Sequence, residues 1–213
     1  MAKIEAKRNL NREKLIKAAI DVFAKKGFKN ASVPDIAKKA GMATGTFYLY
    51  FKDKSQIFID TLRRISYELR EHLNNAFQNA WGGLRGRMPE PDDARLALLR
   101  VYNAFFDYVD GYRNHFLMVF REGISYHPVF SELMWDIFRE LMDDTRSRLN
   151  AGLQLGIIRN LKKTEIEAIS WAIVGALSMS AQAYITEGME RKELIEALVD
   201  FTLQGIKKEH EWL

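Results

Sequence analysis

Residues 32–54 read Ser-Val-Pro-Asp-Ile-Ala-Lys-Lys-Ala-Gly-Met-Ala-Thr-Gly-Thr-Phe-Tyr-Leu-Tyr-Phe-Lys-Asp-Lys and leave little choice of local structure. Ser32 is a natural N-cap, and Asp35, three residues on, nearly completes a capping box. Pro34 falls in the first turn, where its missing N–H costs nothing. Ile36, Ala37 and Ala40 offer small apolar contacts, and Gly41 ends the helix where positive φ is expected. Thr44 can cap a second helix running to about Phe51, and Asp53 can cap a third. Two short helices joined by a tight glycine turn make a helix-turn-helix. Its second helix has the width of the B-DNA major groove. The segment implies a chain that reads double-stranded DNA.

The flanking sequence extends this head. Residues 10–27 place Leu15, Ile16, Ala19, Val22 and Phe23 on one helical face and Arg12, Lys14, Lys17, Asp21 and Lys25 on the other, and Gly27 stops the period. A three-helix head of this size buries little alone and must lean on the next helix. That helix spans about 53–80, with Ile57, Phe58, Thr61, Leu62, Ile65, Leu69, Leu73 and Phe77 at helical spacing. Gly82, Gly83, Gly86 and Met-Pro-Glu-Pro at 88–91 mark a loop. Helical spacing resumes over 93–110, 113–123, from Pro128 to about Gly152, over 163–187 and over 190–208. No strict alternation appears, so the fold class is all-α: a helix-turn-helix DNA-binding head over 1–55 and a helical body over 56–213, with the boundary inside the long helix.

Charge follows the same division. The first 55 residues hold 13 of the 32 Lys and Arg and 5 of the 28 Asp and Glu; the remainder holds 19 basic and 23 acidic. A basic head attracts the phosphate backbone and gains affinity by counterion release. The chain has no cysteine, which excludes disulfides, thiolate zinc sites and thiol catalysis and fits a reducing cytoplasm. The charged start, Met-Ala-Lys-Ile-Glu-Ala-Lys-Arg, lacks an apolar signal core. No Gly-x-Ser-x-Gly, phosphate loop, His-Glu-x-x-His or dinucleotide glycine pattern occurs, so an enzyme is not expected. His115 and His127 are too far apart for a metal pattern, and neither metal nor cofactor is expected. The alternative to a regulator is an architectural or partner-binding helical protein with an incidental basic head.

Three blocks carry a family resemblance: Ala18-Ala19-x-x-x-Phe23-x-x-x-Gly27-Phe28, then Ser32-Val33-x-x-Ile36-Ala37-x-x-Ala40-Gly41, then Gly45-Thr46-Phe47-Tyr48-Leu49-Tyr50-Phe51-x-x-Lys54. Together they resemble the TetR family of transcriptional regulators, densely over residues 10–60 and only in architecture beyond 65. The resemblance implies a homodimer, usually a repressor, that binds a palindromic operator and releases it when a small molecule enters the body. It implies that Ala43, Thr44, Gly45 and Thr46 face base edges and that Tyr48 meets the backbone or a thymine methyl. Tyr50 and Lys54 would then hold phosphates, with Ser32 and Val33 at the groove wall. Phe47 is placed with them, packing inside the head being its alternative; Phe51 is read as packing. Arg, Asn and Gln are missing from the front of this helix, so direct readout is thin. Shape readout or minor-groove contacts from Lys3, Lys7 and Arg8 would add specificity.

The body is rich in large apolar residues. Tyr102, Asn103, Phe106, Phe116, Phe120, Arg121, Phe130, Met134 and Phe138 are the candidate lining of an effector pocket. Packing in an ordinary core is the plainer reading of each. The apolar bias points to an elongated apolar or amphipathic effector, such as a fatty acid or acyl thioester. A ligand pressing on the long helix between Thr61 and Leu69 would alter the recognition-helix spacing. Residues 169–186 carry no charge, long enough for a membrane span. Polar Ser170, Ser178, Ser180 and Gln182, and Glu165, Glu167 and Glu187 around them, speak against a membrane. Ala168, Ala172, Gly175, Ala176, Met179 and Ser180, with Leu198 and Phe201, are assigned instead to a dimer interface, an internal core helix being the alternative.

Overall fold

The computed structural model describes residues 2–82, 90–122 and 128–206, with only the backbone of residues 2–4, 82, 91, 121, 122 and 128–130. Most of the expected glycine-proline loop, and His127, lie outside these residues. Nine α-helices and no strand occur among the described residues: α1 Ala2–Asn30, α2 Val33–Lys39, α3 Thr44–Phe47, α4 Lys54–Gly82, α5 Pro91–Gly111, α6 Arg113–Glu122, α7 Pro128–Gln154, α8 Lys163–Glu187 and α9 Arg191–Ile206. The all-α reading holds.

The chain divides into two compact units. The first comprises residues 1–67 and 112–135, so it is larger than the head expected over 1–55. The reason is α6, which packs along α1; Asn114 donates to Asp21 Oδ1 at 3.0 Å. Its core is built from α1 side chains Leu15, Ala19 and Phe23 with Ile36, Phe47, Phe51, Ile57 and Phe58, all fully buried. Phe58 meets Phe23 edge-on at 5.0 Å and Phe28 at 4.9 Å, a favourable aromatic geometry. Arg12 pairs with Asp60, and Arg64 with Glu13 at 3.5 Å, fastening α1 to the first half of α4.

Two glycines shape this unit. Gly27 has φ 74° and breaks α1 before its last residues. Gly41 has φ 69° after α2, where an L side chain would be strained. The Ser32 cap forms as expected. Ser32 Oγ accepts from Asp35 N at 3.3 Å, and the Asp35 carboxylate accepts from Ser32 N at 3.1 Å and Ser32 Oγ at 2.7 Å. Asp53 Oδ1 accepts from Gln56 N at 2.8 Å and caps α4.

Two boundaries differ from expectation. Ala43, not Thr44, is the N-cap of α3, and it supplies no side-chain cap. The helix is four residues long and gives way to a turn at 48–50. Helix α1 starts at Ala2 rather than near residue 10. Lys7 and Arg8 are therefore exposed on a helix. A helix roughly 10–12 Å across does not fit a minor groove roughly 6 Å wide, so only side-chain tips can reach one.

The second unit comprises residues 68–111 and 136–213. Its α5 packs on α9, and α8 on α9. The Tyr102 hydroxyl shares a buried 2.6 Å hydrogen bond with Thr202 Oγ1. Arg70 grips Asp144 with two hydrogen bonds of 2.7 and 3.1 Å and Glu140 with one of 2.9 Å. Helix α8 is long and apolar enough to cross a membrane by length and composition, yet only 28% of its most apolar window is buried within the chain.

The packing of the head sets the cost of substitutions there. Phe47→Ala should lower stability by about 3–5 kcal/mol in urea unfolding, whereas Tyr48→Ala should stay within about 0.5 kcal/mol; equal losses would contradict the burial difference. The Lys26 ammonium and the Ser32 hydrogen bonds hold the Asp35 carboxyl down at about 2, from an ordinary 3.8. A depressed folded-state pKa adds stability above the unfolded value and loses it as pH falls through the folded value. Asp35→Asn should therefore melt below the wild type at neutral pH, and the gap should close as pH falls from about 4 to about 2, followed as thermal midpoint against pH.

Candidate nucleic-acid interface

The segment after Gly41 presents bare surface. Ala43, Thr44 and Gly45 are exposed and Thr46 is half-buried. A Cβ built on Gly45 meets nothing within 4 Å, so nothing inside this chain requires glycine there. Its absent side chain leaves the backbone open to close approach by bases. Thr hydroxyls can donate or accept, and Thr methyls suit thymine. Tyr48 is 57% and Leu49 70% exposed. Sequence reasoning passed over Leu49, since an apolar residue in a helical head reads as core until its direction is known.

Beneath this surface Phe47 is fully buried, 5.5 Å from Phe51. Phe47 is therefore corrected from a DNA contact to the anchor of α3. Lys54 is engaged within the head. Its Nζ donates to Phe28 O at 2.7 Å, Ala31 O at 2.8 Å and Lys29 O at 3.4 Å, and lies 4.5 Å from the centre of the Phe28 ring. Its ammonium is turned towards the carbonyls of the α1–α2 corner.

Tyr50 is half-buried, and its hydroxyl oxygen accepts from Asn11 Nδ2 at 3.1 Å. That bond leaves the Tyr50 proton free to donate. Asn11 thus orients Tyr50, a role unreadable across 39 residues of sequence. Ser32 and Val33 are half-buried, and the Ser32 hydroxyl is committed to its cap. Lys38 and Lys52 are exposed nearby, while Lys39 pairs with Asp21 at 3.1 Å.

The candidate effector residues separate between the units. Tyr102, Asn103, Phe106 and Phe138 belong to the second, and Phe116, Phe120, Arg121, Phe130 and Met134 to the first. The side chains of Arg121 and Phe130 lie outside the described residues. Tyr102 and Phe106 are buried; burial pushes the Tyr102 hydroxyl up to about 12, against the opposing pull of its Thr202 hydrogen bond. Phe106 meets Phe105 and Tyr184 edge-on at 5.3 and 5.5 Å. Asn103 does not join them. It is exposed, donates to Leu99 O at 2.8 Å, and accepts from Arg191 at 3.3 Å, so its polar ends are spent at the surface. On the expected dimer face, Ala168, Ala172, Gly175, Met179 and Phe201 are exposed and Ala176 and Ser180 half-buried. Leu198 is corrected to the interior, where it is 8% exposed.

The family described as bacterial regulatory proteins, tetR family, matches residues 15–61, from Leu15 in the α1 core to Thr61 in α4. The HTH-type transcriptional regulator BetI of Escherichia coli strain SMS-3-5 is 32% identical over 154 residues, covering 68% of this chain and 77% of BetI. The Bacillus subtilis HTH-type transcriptional regulator YdgC is 24% identical over 92% of both chains. In fold, the chain is similar to the Bacillus subtilis regulator FadR solved with stearoyl-CoA. The TM-score is 0.70 at 21% identity, over 91% of this chain and 98% of FadR. These relatives are regulators of transcription, not enzymes. With its exposed recognition segment on a basic, capped helix-turn-helix, the chain belongs to the TetR family of transcriptional regulators.

Proposed function

We propose that this regulator binds a palindromic operator as a homodimer, represses from it, and is released by an elongated amphipathic effector of the acyl-thioester class. The carrying observation is the exposed surface of Ala43, Thr44, Gly45, Tyr48 and Leu49, on a head whose first 55 residues hold 13 basic and 5 acidic side chains. Thr44, Gly45 and Thr46 face base edges, Tyr48 and Leu49 offer apolar contact to thymine methyls, and Tyr50 donates to phosphate. Selection of duplexes from a random pool should return two inverted half-sites about 10–10.5 bp apart, centre to centre, or a multiple. A single asymmetric site, or no enrichment, would remove the reading.

Dimerisation is supported by α8 and α9. Met179 is 62% and Phe201 54% exposed, beside exposed Ala168, Ala172 and Gly175. A Cβ on Gly175 would meet nothing within 4 Å, and a mid-helix glycine costs about 1 kcal/mol relative to alanine. A second copy approaching closely gives that glycine a purpose. Gly175→Glu with Met179→Glu should convert a dimer to a monomer in sedimentation and abolish tight palindrome binding; an unchanged dimer would place the interface elsewhere.

The effector class is supported by the aromatic set of the body and by the fold likeness to a regulator solved with stearoyl-CoA. Differential affinity for the two states drives release. A ligand's push is proposed to enter α4 in the Thr61–Leu69 stretch. Stearoyl-CoA should release the selected duplex while free coenzyme A does not. Release by a polar metabolite alone would reverse the effector assignment and leave the DNA reading intact.

A further inference from the structure

Lys54 opens α4, and its side chain reaches back across the head to the corner where α1 ends and α2 begins. That corner follows the Gly27 break and contains carbonyls that α1 cannot satisfy. It is also the negative end of the α1 dipole. The Lys54 ammonium has three N–H donors, and three carbonyls surround it: Phe28 at 2.7 Å, Ala31 at 2.8 Å and Lys29 at 3.4 Å. Two of these bonds are short, and the third is the longest and most exposed. The Phe28 ring beneath it, 4.5 Å away, adds a cation–π contact and is itself packed on Phe23 and Phe58. Ala31, whose carbonyl takes one of these bonds, is the residue before the Ser32 cap of α2.

We propose that Lys54 is a positioning residue for sequence-specific DNA binding: it ties the first turn of α4 to the α1–α2 corner and so sets the angle at which the helix-turn-helix meets the groove. Its positive charge serves the carbonyls of residues 28, 29 and 31 rather than DNA. The consequence is particular. A tether contributes to recognition of the correct sequence and little to the sequence-independent attraction of duplex. A phosphate contact contributes equally to both. Arginine separates the two roles again. It keeps the charge and would hold a phosphate well, but its planar fork does not converge on three carbonyls as a compact ammonium does.

The test uses the full chain, a duplex selected from a random pool, and a random-sequence duplex, with binding measured across a salt series. Lys54→Met and Lys54→Arg are compared with Lys52→Met, the loss of an exposed charge two residues away. Both Lys54 variants should lose at least about fivefold on the selected duplex, the loss that one misread base pair gives. On random duplex, Lys54→Arg should bind as wild type and Lys54→Met no more weakly than Lys52→Met. A Lys54→Met salt slope lower by about 0.9, with Lys54→Arg restoring wild-type affinity, would overturn the proposal in favour of a phosphate contact. Wild-type affinity of both variants for the selected duplex would overturn it outright. Circular dichroism fixes the assay temperature below every variant's melting point; should Lys54→Met unfold there, Lys54→Arg alone decides between tether and phosphate contact.

Discussion

A helix of four residues has no stability of its own, since nucleation costs more than its few hydrogen bonds return. The Thr44–Phe47 helix is a defined object only because Phe47 is driven into the head and Phe51, one turn on, follows it. Those two rings take the segment's apolar contacts inward and leave Thr44, Gly45, Tyr48 and Leu49 outward. The exposed segment thus depends for its shape on a buried pair.

Local chemistry explains what was legible in the sequence. The Ser32–Asp35 box, the positive φ at Gly41 and the Asp53 cap each depend on residues within a few positions, and each formed, whereas the Thr44 cap did not. Helical periodicity located all the long elements to within a few residues, apart from the start of α1. What sequence could not convey was partnership. A motif records that lysine and phenylalanine occur at 54 and 47; it does not record which way they point. Lys54 became a ligand of carbonyls twenty-odd residues earlier, and Asn103 was drawn to Arg191 on α9. Asn11 and Leu49 went unread for the same reason. Unit membership was equally hidden: residues 112–135 join the head because α6 covers α1, a long-range choice with no local signature.

The charged side chains divide into two kinds of work. Surface pairs such as Lys39 with Asp21 are exposed and worth little individually. Yet Asp21 also accepts from Asn114, so one carboxylate touches α1's neighbours on both sides, α2 and α6. Arg70 is different: a bidentate fork on Asp144, with Glu140 beside it, holds its guanidinium above the ordinary range. Such geometry defines orientation better than a single contact does. It joins the second half of α4 to α7 within the second unit, as Lys54 joins the first half of α4 to the α1–α2 corner.

The composition of the recognition surface constrains what it can read. Bidentate discrimination of guanine or adenine relies on Arg, Lys, Asn or Gln reaching base edges, and none occurs from Ala43 to Phe51. Small Thr and Gly, a Leu that is 70% exposed and a Tyr that is 57% exposed provide methyl, ring and backbone contacts instead. Contacts of that kind suit thymine methyls and groove shape, each with less discrimination per position than a bidentate pair. Under the proposed dimeric reading, specificity comes from fit, repeated across two heads. A reader of this kind is unusually sensitive to the angle of its own recognition helix, because shape contacts fade over fractions of an ångström, whereas a long, charged side chain can adjust. On the proposed reading, a small displacement at the base of α4 would be enough to spoil a surface that reads by fit.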